Sequence, residues 1–245
     1  MVQLNIKVMI ILVVLALILT CVFLYLSGYI NLPLPSRSST RDLRVDNYLR
    51  NPQTHLDWTI KAGEYCKKAP FTFPTDGYVG YLWDDSFRIG HRHQGIDIFG
   101  TQPSGKTPIY AAYSGYLTRL IEWKSSLIIR IPHDPLINSR QIWTYYTHMA
   151  DSSGTVSYIL PDFPAGTNEV FVTQGTLLGY QGNYSGTPDN PVGIHLHFSV
   201  VRDDGTGKYL NELKIENTLD PSPYFGLSLN AGMNKGDIPL CKPSS

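Results

Sequence analysis

Across 245 residues, 20 lysines and arginines balance 20 aspartates and glutamates, so the formal net charge at neutral pH is zero. Beyond four arginines that follow the first apolar stretch there is no basic block, which argues against nucleic acid as a partner. No internal repeat or low-complexity tract is evident, and the portion after residue 70 is ample for one hydrophobic core.

From Val8 to Ile30 the chain is an almost unbroken apolar run, interrupted only by Thr20, Cys21, Ser27 and Gly28. At about 1.5 Å per residue such a helix matches a hydrocarbon core of about 30 Å with some tilt. The run is longer than the roughly 7–15 residues at the centre of a cleavable signal peptide, and no small-x-small tripeptide closes it. Thr20 before Cys21, and the apolar residues that continue past it, speak against lipoprotein processing. Residues 1–30 are therefore expected to form an uncleaved signal anchor, a single transmembrane helix. Lys7 and the amino terminus precede it, whereas Arg37, Arg41, Arg44 and Arg50 follow. Taken alone, the positive-inside tendency would leave the rest of the chain in the cytoplasm. The same arginines suit lipid head groups.

Residues 31–69 are polar and proline-bearing, with Pro33, Pro35 and a Ser38-Ser39-Thr40 cluster, and read as a linker. A short helix fits within Asp46 to Glu64. Residues 70–228 carry recurrent runs of Val, Ile, Thr and Tyr between turn signals. Ile109 to Tyr113, Tyr116 to Glu122, Leu127 to Pro132, Gln141 to His148 and Gly193 to Val201 all read as strands. That pattern predicts a mostly β, largely antiparallel domain, followed by a tail over 229–245. Cys66 and Cys241 lie near its two ends; in an oxidising exterior they could form one disulfide, and free buried thiols are the alternative.

The residues that carry chemistry fall in two short stretches, His93-Gln94-Gly95-Ile96-Asp97 and His195-Leu196-His197-Phe198. On a strand His195 and His197 project to one side, as do His93 and Asp97. Gly95 and the β-branched Ile96 and Ile98 favour a strand there over a helix interior. Two imidazoles and a carboxylate converging on one point, with a further imidazole beside them, suit one zinc ion with an open position, the arrangement that activates water.

A third segment, Trp143 to Met149, ends in Tyr146-Thr147-His148-Met149. With all three in order, the chain resembles the lysostaphin/LytM-type zinc metallopeptidases, bacterial cell-wall endopeptidases. Their signature runs His-x-Gly-(Ile or Val)-Asp, then Tyr-x-His-(Leu or Met), then His-(Leu or Ile)-His-(Phe or Trp). The likeness extends from about Phe71 to Phe225, through Pro108 to Gly115, Gly175 to Asn183 and Leu219 to Phe225. It implies the antiparallel duplicated-hybrid-motif fold over residues 70–228 and one Zn2+ held by His93, Asp97 and His197. His148 and His195 become the catalytic imidazoles, without saying which is the base, and Tyr146 shares the His148 face as a candidate for orienting substrate. The implied reaction is hydrolysis of peptide bonds in peptidoglycan stem peptides or cross-bridges. Because that substrate lies outside the inner membrane, the resemblance overrides the charge bias. It places the protein in the bacterial cell membrane, single-pass, with the catalytic domain extracytoplasmic and with room for a regulatory protein partner.

His55, His91 and His133 read as ordinary surface or hydrogen-bonded residues. His91 shares the strand face of His93 and stays open as an alternative ligand. Two insertions, Asp151 to Asn168 and Ser185 to Val192, are expected to flank the groove, where loops select the peptide. The competing reading is a non-catalytic wall-binding or regulatory module that activates a partner amidase.

Overall fold

A computed structural model describes residues 6–26, 40–86 and 90–241 and separates the chain into two units, residues 1–37 and 38–245. In the first unit, helix α1 (Ile6–Leu26) holds its apolar side chains exposed; Leu17, Leu19 and Phe23 are 61–68% accessible. Its side chains are described without a break only from Lys7 to Thr20, about 21 Å of helix. Among the described residues no helix is long and apolar enough to cross a membrane. The expected transmembrane helix is therefore not supported by the fold, and its last four positions, 27–30, lie outside the described residues.

The second unit is built on β-strands: β1 (Thr59–Ile60), β2 (Gly77–Tyr81), β3 (Ile96–Phe99), β4 (Pro108–Tyr110), β5 (Gly115–Thr118), β6 (Leu127–Ile131), β7 (Ile142–Thr147), β8 (Val170–Val172), β9 (Leu177–Tyr180), β10 (Leu196–Arg202) and β11 (Thr218–Leu219). Nine of them form one sheet in the order β1-β2-β3-β10-β7-β6-β5-β8, with β11 added to β10, while β4 and β9 pair separately. Every strand pair is antiparallel. The mostly antiparallel β domain expected from the alternating runs is what forms.

Strand parity divides the sheet into two faces. Leu196, Phe198 and Val200 of β10, with Tyr146 of β7 and Ile96 and Ile98 of β3, enter the main core. The alternate residues of β10 lie opposite the alternate residues of its neighbours: His197 against Asp97 and Thr147, Ser199 against Tyr145, Val201 against Trp143. One strand thus anchors the core with one side and supplies the polar face with the other.

The segment read as a linker is part of this domain from Thr40 onward. Helix α2 (Thr40–Arg50) has Asp42 in its first turn and Arg50 in its last, both favourable to the helix dipole. Its Val45 and Tyr48, three residues apart on one face, pack on Tyr78 and Phe99. Ile60 and Cys66 reach the main core. A short 3-10 helix, Pro52–Trp58, lies within the expected Asp46 to Glu64, while α2 itself starts before that range, with Val45 as well as Tyr48 buried. The tail is also docked: Leu229 is buried, Leu240 packs against the core, and Cys241 is joined to Cys66 with their Cα atoms 5.0 Å apart. Between them, helix α3 (Ser222–Phe225) buries Tyr224 and Phe225, with the Phe71 ring 4.8 Å from that of Tyr224.

Candidate active site

The polar face of β3, β10 and β7 opens into a groove of about 640 Å³, with His93, Asp97, His148, His195 and His197 all in its lining. Asp97 and His197 face each other across the β3–β10 pair. His93 is not on a strand, as the motif spacing had implied; β3 starts only at Ile96. The reason lies at Gly95, where a Cβ would stand 2.2 Å from the Phe198 carbonyl oxygen and 2.6 Å from Ser199 Oγ. The chain crosses β10 there in close contact, and His93 arrives from a loop tied down by its own backbone. Its N–H donates to the Asp85 carbonyl at 2.8 Å, and its carbonyl accepts from Asp84 N at 2.8 Å. Gly95→Ala is expected to push this loop off β10, destabilising the domain by about 2–3 kcal/mol and weakening metal binding. Denaturant unfolding and zinc titration check this; wild-type values for both would refute the close approach.

Three donor atoms meet. His93 Nε2 lies 3.1 Å from Asp97 Oδ1 and 3.0 Å from His197 Nδ1, and His197 Nδ1 lies 2.8 Å from Asp97 Oδ1. The outer nitrogens are committed elsewhere. His93 Nδ1 donates to the Leu82 carbonyl at 2.9 Å, and His197 Nε2 lies 2.9 Å from Ser199 Oγ, to which it can donate. These partners turn the remaining lone pairs toward a common point, as second-shell groups do around metal-bound histidines. Three buried lone-pair atoms about 3 Å apart repel one another unless a cation sits among them. Donors about 2.0–2.1 Å from a tetrahedral zinc stand roughly 3.3 Å from each other, so the set fits that ion. These three residues form the metal-ligand cluster found among the described residues.

Burial pushes Asp97 up, but His93, His195 and His197 hold its carboxyl well below the usual range. Burial pulls His93 down and Asp97 more than compensates, leaving it raised. For His197 burial wins over Asp97, and its imidazole is lowered.

Two more imidazoles stand back from this trio. His195 Nδ1 donates to the Gly193 carbonyl at 2.6 Å, and its Nε2 lies 3.5 Å from Asp97 Oδ1. His148 Nδ1 donates to the Tyr184 carbonyl at 2.6 Å, and its ring centroid is 4.5 Å from that of His195. Burial, then the neighbouring His195 and His197, push His148 down to about 3. Strand parity would have sent His148 into the core behind Tyr146. Instead it follows the end of β7 with φ of 71°, a left-handed conformation that costs a non-glycine residue about 1–3 kcal/mol and that clusters at functional sites. Tyr146 takes the other path. It is fully buried, its hydroxyl accepting from Ala112 N at 2.9 Å, so the expectation that it shares the His148 face is corrected. Tyr145, Thr147 and Ser126 line the groove in its place, their hydroxyls linked at 2.7 and 3.0 Å.

His91 also lines the groove, but its ring centroid is 6.4 Å from that of His93 and it is outside the donor trio. His55 stacks on Trp58 and His133 lies near the Asn138 carbonyl, both away from the site. Of the two insertions, the second reaches the groove through Ser185, Gly186 and Val192. The first does not line it. Ser152 accepts from Asp189 N, Gly154 packs on the Tyr184 ring, and Arg119 binds the Phe163 carbonyl; this loop buttresses the second one. Sequence reasoning missed the carbonyls of Leu82, Gly193 and Tyr184. Ser199 falls on the functional face that the alternation of this strand predicts, with His195 and His197, but its bond to His197 was not foreseen.

The sequence matches no family model and no curated protein. Solved structures similar to it are peptidases of the lysostaphin and LytM type. Lysostaphin from Staphylococcus simulans shares 18% identity at a TM-score of 0.40, covering 69% of this chain and 56% of its own. The catalytic domain of the same peptidase gives 19% and 0.37, covering 61% and 90%. A zinc-containing peptidase from Vibrio cholerae gives 19% and 0.37, covering 60% and 40%. The chain thus spans well under two thirds of the full lysostaphin and Vibrio chains, and likenesses this distant assign no chemistry by themselves.

Proposed function

We propose that this protein is a zinc-dependent endopeptidase that hydrolyses peptide bonds in peptidoglycan stem peptides or cross-bridges. The observation that carries the reading is the convergence of His93 Nε2, Asp97 Oδ1 and His197 Nδ1, all within 4.8 Å of one another, at the floor of an open groove with two further imidazoles alongside. The motif order noted in the sequence supports the wall-peptide substrate.

His93, Asp97 and His197 would hold the ion. Zinc, when bound there, supplies a Lewis acid that activates an attacking water and polarises the scissile carbonyl. His148, kept neutral by burial, is placed to accept a proton from that water and return it to the leaving amine. Its Nδ1–H bond to Tyr184 leaves Nε2 as the working nitrogen. His195, fixed through Gly193 and facing Asp97, is placed to stabilise negative charge on the carbonyl oxygen when it carries a proton. The linked hydroxyls of Ser126, Thr147 and Tyr145 offer hydrogen bonds to an extended peptide.

The localisation is part of the proposal. The Cys66–Cys241 bridge suits an oxidising compartment, which favours a catalytic domain outside the cytoplasm.

Incubating the purified chain with sacculi, following turbidity and identifying the products by mass spectrometry, tests the activity. His148→Ala is expected to retain one equivalent of zinc while losing about 10²–10⁴-fold in rate. Stoichiometric zinc with no cleavage of several wall types would overturn the enzyme and favour a non-catalytic wall-binding or amidase-activating module.

A further inference from the structure

We infer that Arg41, on α2 and remote in sequence from every motif residue, is a positioning residue for the metal centre; this rests on the metal-site reading above. The Arg41 guanidinium Nε lies 2.7 Å from Asp85 Oδ2, with the two side chains only 13% and 15% exposed. That shielding separates the pair from ordinary surface ion pairs, whose median contribution is small.

Asp85 does three things with the turn it closes. Its carboxylate accepts from Leu82 N at 3.3 Å through the same oxygen that meets Arg41. Its own N–H donates to the Leu82 carbonyl at 3.1 Å, and its carbonyl accepts from His93 N at 2.8 Å. The Leu82 carbonyl is also the acceptor for His93 Nδ1. The bond that sets the tautomer and ring direction of this ligand therefore ends on a residue whose N–H and carbonyl are both held by Asp85. Arg41 holds the carboxylate that does so.

Other contacts fix Arg41 and its helix to the same region. Its Nη2 donates to Asn234 Oδ1 at 3.4 Å, and Arg44, one turn on, donates to the Gly236 carbonyl. Asp42 hydrogen-bonds Tyr81, whose ring centroid is 6.3 Å from that of His93 and whose backbone pairs with Asp97. α2 thus grips the strand and turn against which two of the three ligands, His93 and Asp97, are held. A helix needed only for stability would be satisfied by Val45 and Tyr48; the ion pair is aimed at the turn beneath His93.

The test is the zinc affinity of the full chain, measured by competition with a chromophoric chelator at fixed pH. Arg41→Ala is expected to weaken zinc about 10-fold, the lower end of the range for groups that orient metal ligands, with the melting temperature of the metal-free protein little changed. Arg41→Lys should recover most of the loss. Unaltered affinity in Arg41→Ala would overturn the inference, as would a loss matched by a general drop in metal-free stability. Should Arg41→Ala not fold, Asp85→Asn, which keeps the shape but not the charge, is judged by the same two measurements. Failure of the wild-type chain to bind zinc would defeat the functional reading itself, whereas equal affinity of wild type and variant defeats only the role of Arg41.

Discussion

Asp97→Ala is expected to leave the protein without zinc at micromolar concentrations of the metal and without detectable wall hydrolysis. Asp97 is the charged member of the trio, and its Oδ1 lies 2.8 Å from His197, 3.1 Å from His93 and 3.5 Å from His195. Removing it deletes one donor and the negative charge of the trio, which offsets the cost of burying a cation there. Changes behind the ligands cost about 10–100-fold in metal affinity, so loss of a ligand should exceed 100-fold. Equilibrium dialysis with metal analysis reads the effect directly. A variant that keeps one equivalent of zinc would show that the ion binds elsewhere.

Loss of the disulfide is expected to be the most destabilising change outside the site. The Cys66–Cys241 bridge closes a separation of 175 residues, and the chain-entropy relation gives about 5 kcal/mol for a loop of that size. Domains of this kind are stable by only about 5–15 kcal/mol in all. The double replacement Cys66→Ser with Cys241→Ser should therefore lower the urea midpoint sharply, with Leu229 and Leu240 released from the core first. Coincident unfolding curves for the bridged and double-serine proteins would contradict this.

The strands with long alternating runs were legible in the sequence. β6, β7 and β10 are rich in β-branched and aromatic residues, and their predicted ranges differ from the observed ones by a residue or two at most ends. Others were not: β1, β8, β9 and β11 hold two to four residues each, and β2 carries Gly77 and Gly80 among its five, which weakens a strand signal. The site was legible as a set of residue types, because His93, Asp97, His195 and His197 sit in short motifs whose chemistry is local. What held them was not. Leu82, Gly193 and Tyr184 act through backbone carbonyls, which any residue possesses, so nothing in a side-chain pattern could reveal them. The turn of His148 toward the groove was hidden for a related reason, since it depends on a left-handed φ, which is uncommon for any residue but glycine. The docking of α2 escaped because its surroundings are polar and proline-bearing, and Val45 and Tyr48 alone mark its buried side.

The two-sided character of β10 limits how this protein can change. Phe198 sits in the hydrophobic interior while His197 on one side of it belongs to the candidate metal site and Ser199 on the other hydrogen-bonds that imidazole, so a substitution that shifts the strand by a fraction of an ångström to improve packing also moves His197. Packing and the geometry of the candidate site cannot be adjusted separately along this strand. Laboratory evolution for heat tolerance should therefore accumulate its gains on the outlying strands and loops and leave the middle of the sheet untouched.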